Sequence, residues 1–358
     1  MKSKDLKDKP EFSKILGPLP FNYQSVKVFQ SYRPKGFRYH SHSITIEASF
    51  QDESILACGE NSELAVAVAK ARSELIERTA LLNYSNSDLN SYCANGSVFK
   101  DEPSESTPKV TPTLFTTSNG WAAHPQKHKS EIGAVLELLE RDAVMAQWYK
   151  QTPFIEIDAD SFPNKIQKWA KDELAQSEFP NLRILLSTEG LGVSITCLLI
   201  NNQGFGVCGH STKLQLEDAV DNAIGEACRA AQFTLRKSFW RDSLALRNPC
   251  TDAKIDPGAH GVYYAYHEAF PHWMFGSKIS WNLALTMWKD SNLRTLATYL
   301  DEFDLITVNH APLFVSCAKH PKTLELTWGS TDQKRVEELR ANERLKGVAI
   351  NTKPHIIS

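Results

Sequence analysis

The stretches RSELIERTA (72–80) and VLELLERDA (135–143) carry one word, Glu-x-x-Glu-Arg, inside two otherwise apolar segments. Aligned without gaps, Glu74 meets Glu137, Glu77 meets Glu140 and Arg78 meets Arg141. Ala71, Leu75 and Ala80 likewise meet Ala134, Leu138 and Ala143. Residues three and four apart share a helical face, so each set of two acids and one arginine projects together. A single exposed ion pair contributes little to stability. Here, however, both copies are hemmed in by apolar residues: Leu75, Ile76, Leu81 and Leu82 in one, Leu136, Leu138, Leu139 and Val144 in the other. The pattern predicts two helices presenting matching acidic faces to one centre. Carboxylates gathered in a partly buried place repel and lose hydration, so they call for cations.

Oxygen-only ligands suit a hard ion such as Mg2+, and guanidinium groups bind phosphate oxygens in pairs. Acids for the metal and arginines for phosphate are what a bound Mg-nucleotide demands. No Gly-x-x-x-x-Gly-Lys-Ser/Thr occurs, so such a site is not a P-loop. Gly133 stands one turn before Glu137 and lets something approach the backbone closely, whereas Lys70 takes the equivalent place before Glu74.

Around these words the chain alternates strand and helix signals. SITIEASF (43–50) alternates apolar and polar residues, and a long helix follows from about Ser62 to Tyr84. Residues 100–120, rich in Pro, Ser and Thr, read as loop. A second long helix covers about Ser130 to Lys150, then PFIEID, LRILLST, VSITCLLI and GFGVCGHST read as strands. A third helix is expected over about Lys213 to Lys237, with Ser211 or Thr212 as its N-cap. Beyond it come VYYAY, a Trp-containing amphipathic stretch near 281–302, and short strands DLITV, LFVSCA and LELTW. The class is α/β, or mixed α+β, with a mixed sheet and long helices. Residues 1–40 read as an N-terminal arm, 41–330 as the main domain and 331–358 as a charged tail.

Composition excludes several alternatives. The 358 residues, 42% of them hydrophobic, suffice for a large core. A formal net charge of −2 gives no reason to expect a nucleic-acid surface. No apolar run approaches the roughly 20 residues that span a bilayer, and no signal peptide opens the chain. The seven cysteines form no Cys-x-x-Cys and read as reduced, buried thiols of a cytosolic protein. His124 and His128 are four apart, but Pro125 between them points to a loop or helix start rather than a zinc site. A di-iron bundle would require Glu-x-x-His on two helices, and the chain offers Glu there. The histidines His124 and His260 and the tryptophans Trp240, Trp273, Trp281 and Trp288 read as structural.

Three blocks together resemble the YcaO superfamily. GENSELAVAVAKARSELIER (59–78) is similar to its first nucleotide-binding helix. SNGWAAHPQKHKSEIGAVLELLERDAVMAQWYK (118–150) is similar to its most recognisable block, and GHSTKLQLEDAVDNAIGEACRAAQ (209–232) to a third, which carries Glu226. The resemblance implies ATP- and Mg2+-dependent activation of a peptide-backbone amide. A nucleophile adds to the carbonyl, the oxygen is phosphorylated, and phosphate then leaves. A neighbouring Cys, Ser or Thr gives an azoline, sulfide a thioamide, and an amine an amidine. Carried over by position, Glu74, Glu77, Glu137 and Glu140 hold Mg2+, with Arg78 and Arg141 near the phosphates. Ser118, Asn119 and Glu226 line the site, and Lys70 reaches toward the nucleotide.

The resemblance further implies a precursor peptide as substrate, with a leader-binding or E1-like partner protein. That partner is expected because the similarity already begins near Gly59, leaving no added leader-gripping domain. A homodimer or a hetero-oligomeric complex is expected. Lys70, Ala122, Lys129 and Gly133 depart from the family pattern of Ser, Ser, Glu and Gln at those places, and the terminus INTKPHIIS carries a single proline. Azoline formation leads, and two alternatives stand beside it: a thioamide-forming enzyme, and a nucleotide-deficient scaffold subunit of a peptide-modifying complex.

Overall fold

The computed structural model describes residues 16–31, 34–85, 119–235, 263–299, 302–324, 326, 331 and 333–357. Ser118, Trp240, His260 and most of LELTW fall outside them. The chain divides into two compact units. The first draws on Met1–Tyr32, His40–Leu138 and Phe303–Lys319, the second on Arg33–Tyr39, Leu139–Glu302 and His320–Ser358.

The first unit contains two antiparallel sheets. One is β1 (Ser25–Gln30), β2 (His42–Phe50) and β3 (Glu53–Asn61), in that order. The helix α1 (Leu64–Ser85) follows directly and crosses β3 and β2. Ala67, Val68, Ala71 and Leu75, spaced at helical intervals, pack on Ile44, Ile46, Ala48, Ile55 and Ala57. The opposite face of α1 is apolar as well. Ile76 and Ala80 pack on Trp121, Val308, Val315 and Cys317 of the second sheet, whose order is β10 (Asp304–His310), β11 (Leu313–Lys319) and β4 (Trp121–His124). Burying both faces leaves a narrow polar strip for Glu74, Glu77 and Arg78. Leu75 and Ile76 are each fully buried, contributing about 2 kcal/mol apiece.

The helix α2 (Lys127–Lys150) starts in the first unit and ends in the second. What approaches its backbone at Gly133 is β4: a Cβ there would stand 3.0 Å from that of Ala122.

The second unit is built on a five-stranded sheet in the order β8 (Gly206–Ser211), β7 (Ser194–Ile200), β6 (Asn181–Ser187), β5 (Phe154–Ile157) and β9 (Phe275–Ile279). All pairings are antiparallel except β5 with β9. Alternation assigns the faces. Ile184, Leu186, Ile195, Cys197 and Leu199 look to one side, onto α3 (Asn164–Asp172), α4 (Leu216–Thr234) and α5 (Trp281–Tyr299). Leu185, Leu198 and Ile200 look to the other, onto Val144, Met145, Trp148 and Tyr149 of α2. A sheet covered on both faces explains why β7 is buried throughout, its hydroxyl residues Ser194 and Thr196 included.

Trp281 and Trp288 lie in this core. The stretch read as an arm supplies β1 to one unit and buried Phe37 to the other. The charged 331–358 segment contains α6 (Gln333–Ala341) and buries Val336, Leu339, Leu345, Ile356 and Ile357. Among the described residues no helix is long and apolar enough to cross a membrane.

The N-cap expectation for α4 is corrected. The helix starts at Leu216, and the cap position is Gln215, which makes no side-chain hydrogen bond. The Thr212 hydroxyl instead donates to Val193 O at 3.1 Å. Tertiary contacts thus hold that residue in the strand exit.

Candidate functional site

Both units use the same device to seat a carboxylate. In each, a hairpin ends in an edge strand, and the next helix lies flush on a glycine of that strand. A Cβ at Gly59 of β3 would stand 2.0 Å from Ala67 O and 2.4 Å from Ala71 N of α1. A Cβ at Gly209 of β8 would stand 2.3 Å from Ala223 O and 2.4 Å from Ala227 N of α4. The close approach brings helix carboxylates to the open edge of the strand, where backbone N–H groups lack a neighbouring strand.

In the first unit the Cys58 N–H donates to Glu74 Oε2 at 2.7 Å. Arg78 closes the same edge: its Nη1 donates to Leu56 O at 2.8 Å, and its Nη2 lies 2.6 Å from Glu74 Oε1. The guanidinium is half exposed, at 50%. Lys70 is exposed, with its Cβ beside Gly59. Glu77 of α1 and Glu137 of α2 are half-buried, and both act on the Cys317 thiol. Burial pushes that thiol up to about 12; the two carboxylates add to the rise and Lys319 opposes it. Acids from the two sister helices thus act in the same direction on one thiol.

In the second unit two carboxylates hang from alternate amides at the end of β8. The His210 N–H donates to Glu226 Oε2 at 3.2 Å, and the Thr212 N–H donates to Glu140 Oε2 at 3.0 Å. Glu140 is buried. Burial raises its pKa; the Glu226 charge raises it further, whereas Arg141, Lys213 and the Thr212 amide pull the other way. The Arg141 Nε lies 3.7 Å from Glu140 Oε1. Glu226 Oε1 also accepts from Asn222 Nδ2 at 3.2 Å. The carbonyl of Lys213 is held by Trp288 Nε1 at 3.1 Å.

His210 itself is buried and stays neutral, its pKa lowered to about 3 by burial and by the Arg141 charge. Its Nδ1 lies 2.9 Å from Thr196 Oγ1, and its Nε2 faces Ile356 O at 3.5 Å.

The sequence-derived residues thus fall into two groups. Glu74, Glu77, Arg78, Lys70, Asn119 and Glu137 belong to the first unit, and Glu140, Arg141 and Glu226 to the second. Glu137 and Glu140 stand one turn apart on α2. His210, Thr212, Lys213, Asn222 and Cys317 were not singled out as site residues by sequence. Two of them act through backbone amides, which leave no signature in side-chain patterns.

Among the described residues, no three His, Cys, Asp or Glu side chains are gathered closely enough to hold a metal by themselves. Carboxylates in ones and twos nevertheless suit Mg2+, which is commonly held by one or two carboxylates together with substrate phosphates. A buried carboxylate with a raised pKa beside a second one is the donor set that such a cation relieves.

Several solved structures share the fold. A heterocyclase in complex with substrate and cofactor aligns with a TM-score of 0.61 over 97% of this chain, at 12% identity. The chain spans 56% of that protein's length. The YcaO protein of Methanopyrus kandleri, bound with AMPPCP and Mg2+, aligns with a TM-score of 0.53 at 12% identity, covering 87% of this chain and 88% of its own. The E. coli microcin synthetase McbBCD complex with pro-MccB17 bound aligns at 0.50 and 12% identity, over 83% and 88%. At this identity the likeness speaks for the fold. No curated protein matches the chain.

The family pattern described as YcaO cyclodehydratase, ATP- and Mg2+-binding, matches residues 94–307. The match takes in Asn119, Glu137, Glu140, Arg141 and Glu226, and begins after Glu74 and Glu77. With more than half of its length matched, the chain belongs to the YcaO family, whose cofactors are ATP and Mg2+.

Proposed function

We propose that the protein activates a peptide-backbone amide by phosphorylation, forming azolines at Cys, Ser or Thr of a ribosomally made precursor. The observation that carries this reading is the pair Glu140 and Glu226, hung from alternate N–H groups of one edge strand and facing Arg141 and Lys213. ATP supplies the phosphoryl group, and Mg2+ neutralises its charge.

The chain's own part is to position and to exclude water. Edge-strand amides hold Glu74, Glu140 and Glu226 at set points, so little reorganisation is required when charge develops. Arg141 and Lys213 place positive charge beside the buried acid, where they would hold phosphate oxygens. Holding donor and acceptor together removes the entropic cost of their meeting. A partner protein recruits the peptide.

The test is twofold. Calorimetric titration with Mg-ATP measures binding, and mass spectrometry of a co-expressed precursor reads the product. Loss of one water per ring means azoline, whereas exchange of oxygen for sulfur means thioamide.

One observation favours the scaffold alternative. Ala122 and Gly133, at positions where the family pattern has polar residues, pack directly on one another. That contact fills with backbone and methyl what would otherwise be polar groups facing a nucleotide. Absence of Mg-ATP binding selects this reading.

A further inference from the structure

Asn119 lies with Gly120 in the turn that leads into β4, and the residue is 5% exposed. Neither its Oδ1 nor its Nδ2 has a hydrogen-bond partner. Burying a carboxamide without partners costs roughly 1–3 kcal/mol by protein mutational data. Such a group persists where a ligand, and not the fold, supplies the missing bonds.

The backbone at this point is fixed. Gly120 has φ +73°, and a Cβ there would stand 2.4 Å from Ala318 O and 3.3 Å from the Leu138 Cβ. Its carbonyl accepts from Ala318 N at 2.8 Å. Only glycine fits, and the clamp fixes the backbone that carries Asn119.

Its neighbours identify the setting. Leu138, under Gly120, follows Glu137. Trp121, two residues on, pairs with Cys317, the residue on which Glu77 and Glu137 both act. Leu138 of α2 lies against Gly120 and Trp121 pairs with Cys317, so the unpaired amide lies close to the stretch of α2 that carries Glu137.

A carboxamide offers one donor and one acceptor side by side. Two ligand groups complement it. One is the N6/N7 edge of adenine. The other is a residue of an extended peptide, whose own N–H and C=O point to the same side, as in the hydrogen-bonded pair of an antiparallel ladder. Location decides between them. These acids would hold the cation and with it the phosphates, and in a nucleotide the base is separated from the terminal phosphate by the length of the triphosphate. The amide that accepts the phosphoryl group would have to lie beside it. We propose that Asn119 reads the substrate backbone, its Nδ2–H donating to the carbonyl and its Oδ1 accepting the N–H of one extended residue.

This rests on the amide-phosphorylation reading, and its test separates the two. The probe is N-acetylcysteine methylamide, a single capped residue, followed by saturation-transfer NMR with the full chain. Mg-AMPPCP is titrated in parallel, and the ligand-free protein is melted. Asn119→Leu is expected to reduce saturation transfer several-fold while leaving Mg-AMPPCP affinity unchanged and the melting temperature equal or higher. Asn119→Asp, which keeps the size and loses the donor, is expected to reduce transfer likewise. Unchanged transfer in both variants overturns the proposal, as does absence of transfer to the unmutated protein. A joint fall in Mg-AMPPCP affinity makes Asn119 a base reader instead, and a lower melting temperature makes it structural. Failure of the unmutated protein to bind Mg-AMPPCP sinks the phosphorylation reading separately, because the amide signal is read without nucleotide.

Discussion

The backbone N–H of Thr212 reaches Glu140 Oε2 at 3.0 Å, joining the exit of an edge strand to a buried carboxylate on another helix. One such bond offsets only part of the cost of ionising an acid in the interior. Desolvation therefore still dominates and holds the Glu140 pKa above the ordinary carboxylate value.

Glu140→Gln is expected to stabilise the ligand-free protein. The ionised acid carries a cost that is absent when it is protonated. The gap between variant and unmutated protein is therefore full well above the raised pKa and closes as pH falls through it. Thermal melting at mildly alkaline and at acid pH, without nucleotide, measures both ends. A variant that melts lower at alkaline pH contradicts the burial argument.

His210 gives the opposite sign. Its folded pKa, lowered to about 3 from 6.5, keeps the ring neutral where the unfolded chain takes up a proton. The stability it contributes is complete above 6.5 and is lost as pH falls from there toward about 3. Urea titrations across this range are expected to show a steep acid decline in the unmutated protein and a shallower one in His210→Gln. Equal slopes would exclude the ring as its source.

Gly209→Ala places a methyl 2.3 Å from the Ala223 carbonyl oxygen and must push β8 off α4. Overpacking of this kind costs about 1–3 kcal/mol, and a clash with backbone belongs at the upper end. Gly133→Ala meets only the Ala122 Cβ at 3.0 Å, and alanine gains up to about 1 kcal/mol of helix propensity. Chemical denaturation should rank Gly209→Ala far below Gly133→Ala.

Arg344 neutralises Asp142, which is fully buried on α2 and also accepts from Leu191 N and Leu324 N at 2.8 Å each. Arg344→Ala leaves a buried charge unpaired, a loss of about 3–5 kcal/mol. Limited proteolysis should then cut within 320–357 while leaving the first unit intact. An unchanged digestion pattern would mean that this ion pair does not hold the segment.

The paired Glu-x-x-Glu-Arg words announced two long helices, and both form, starting at Leu64 and Lys127. The strands at 42–50, 181–187 and 194–200 were legible because alternation or unbroken apolar runs leave a pattern in composition. The parallel partnership of β5 with β9 was not, since nothing local marks which distant strand a chain will pair with. The helix cap at Thr212 failed because its hydroxyl and amide are both engaged by distant residues, Val193 and Glu140. Roles carried by backbone, such as the His210 amide on Glu226, lie beyond any reading of side chains. The unpaired state of the Asn119 amide likewise depends on burial, which only the fold reveals.

The central claim is that these seated carboxylates bind a magnesium–nucleotide. Isothermal titration of Mg-ATP against the unmutated protein and its Glu140→Ala variant tests it most directly. The account expects saturable binding by the first and a loss of at least an order of magnitude in the second. No binding by the unmutated protein, or equal affinity in both, contradicts it.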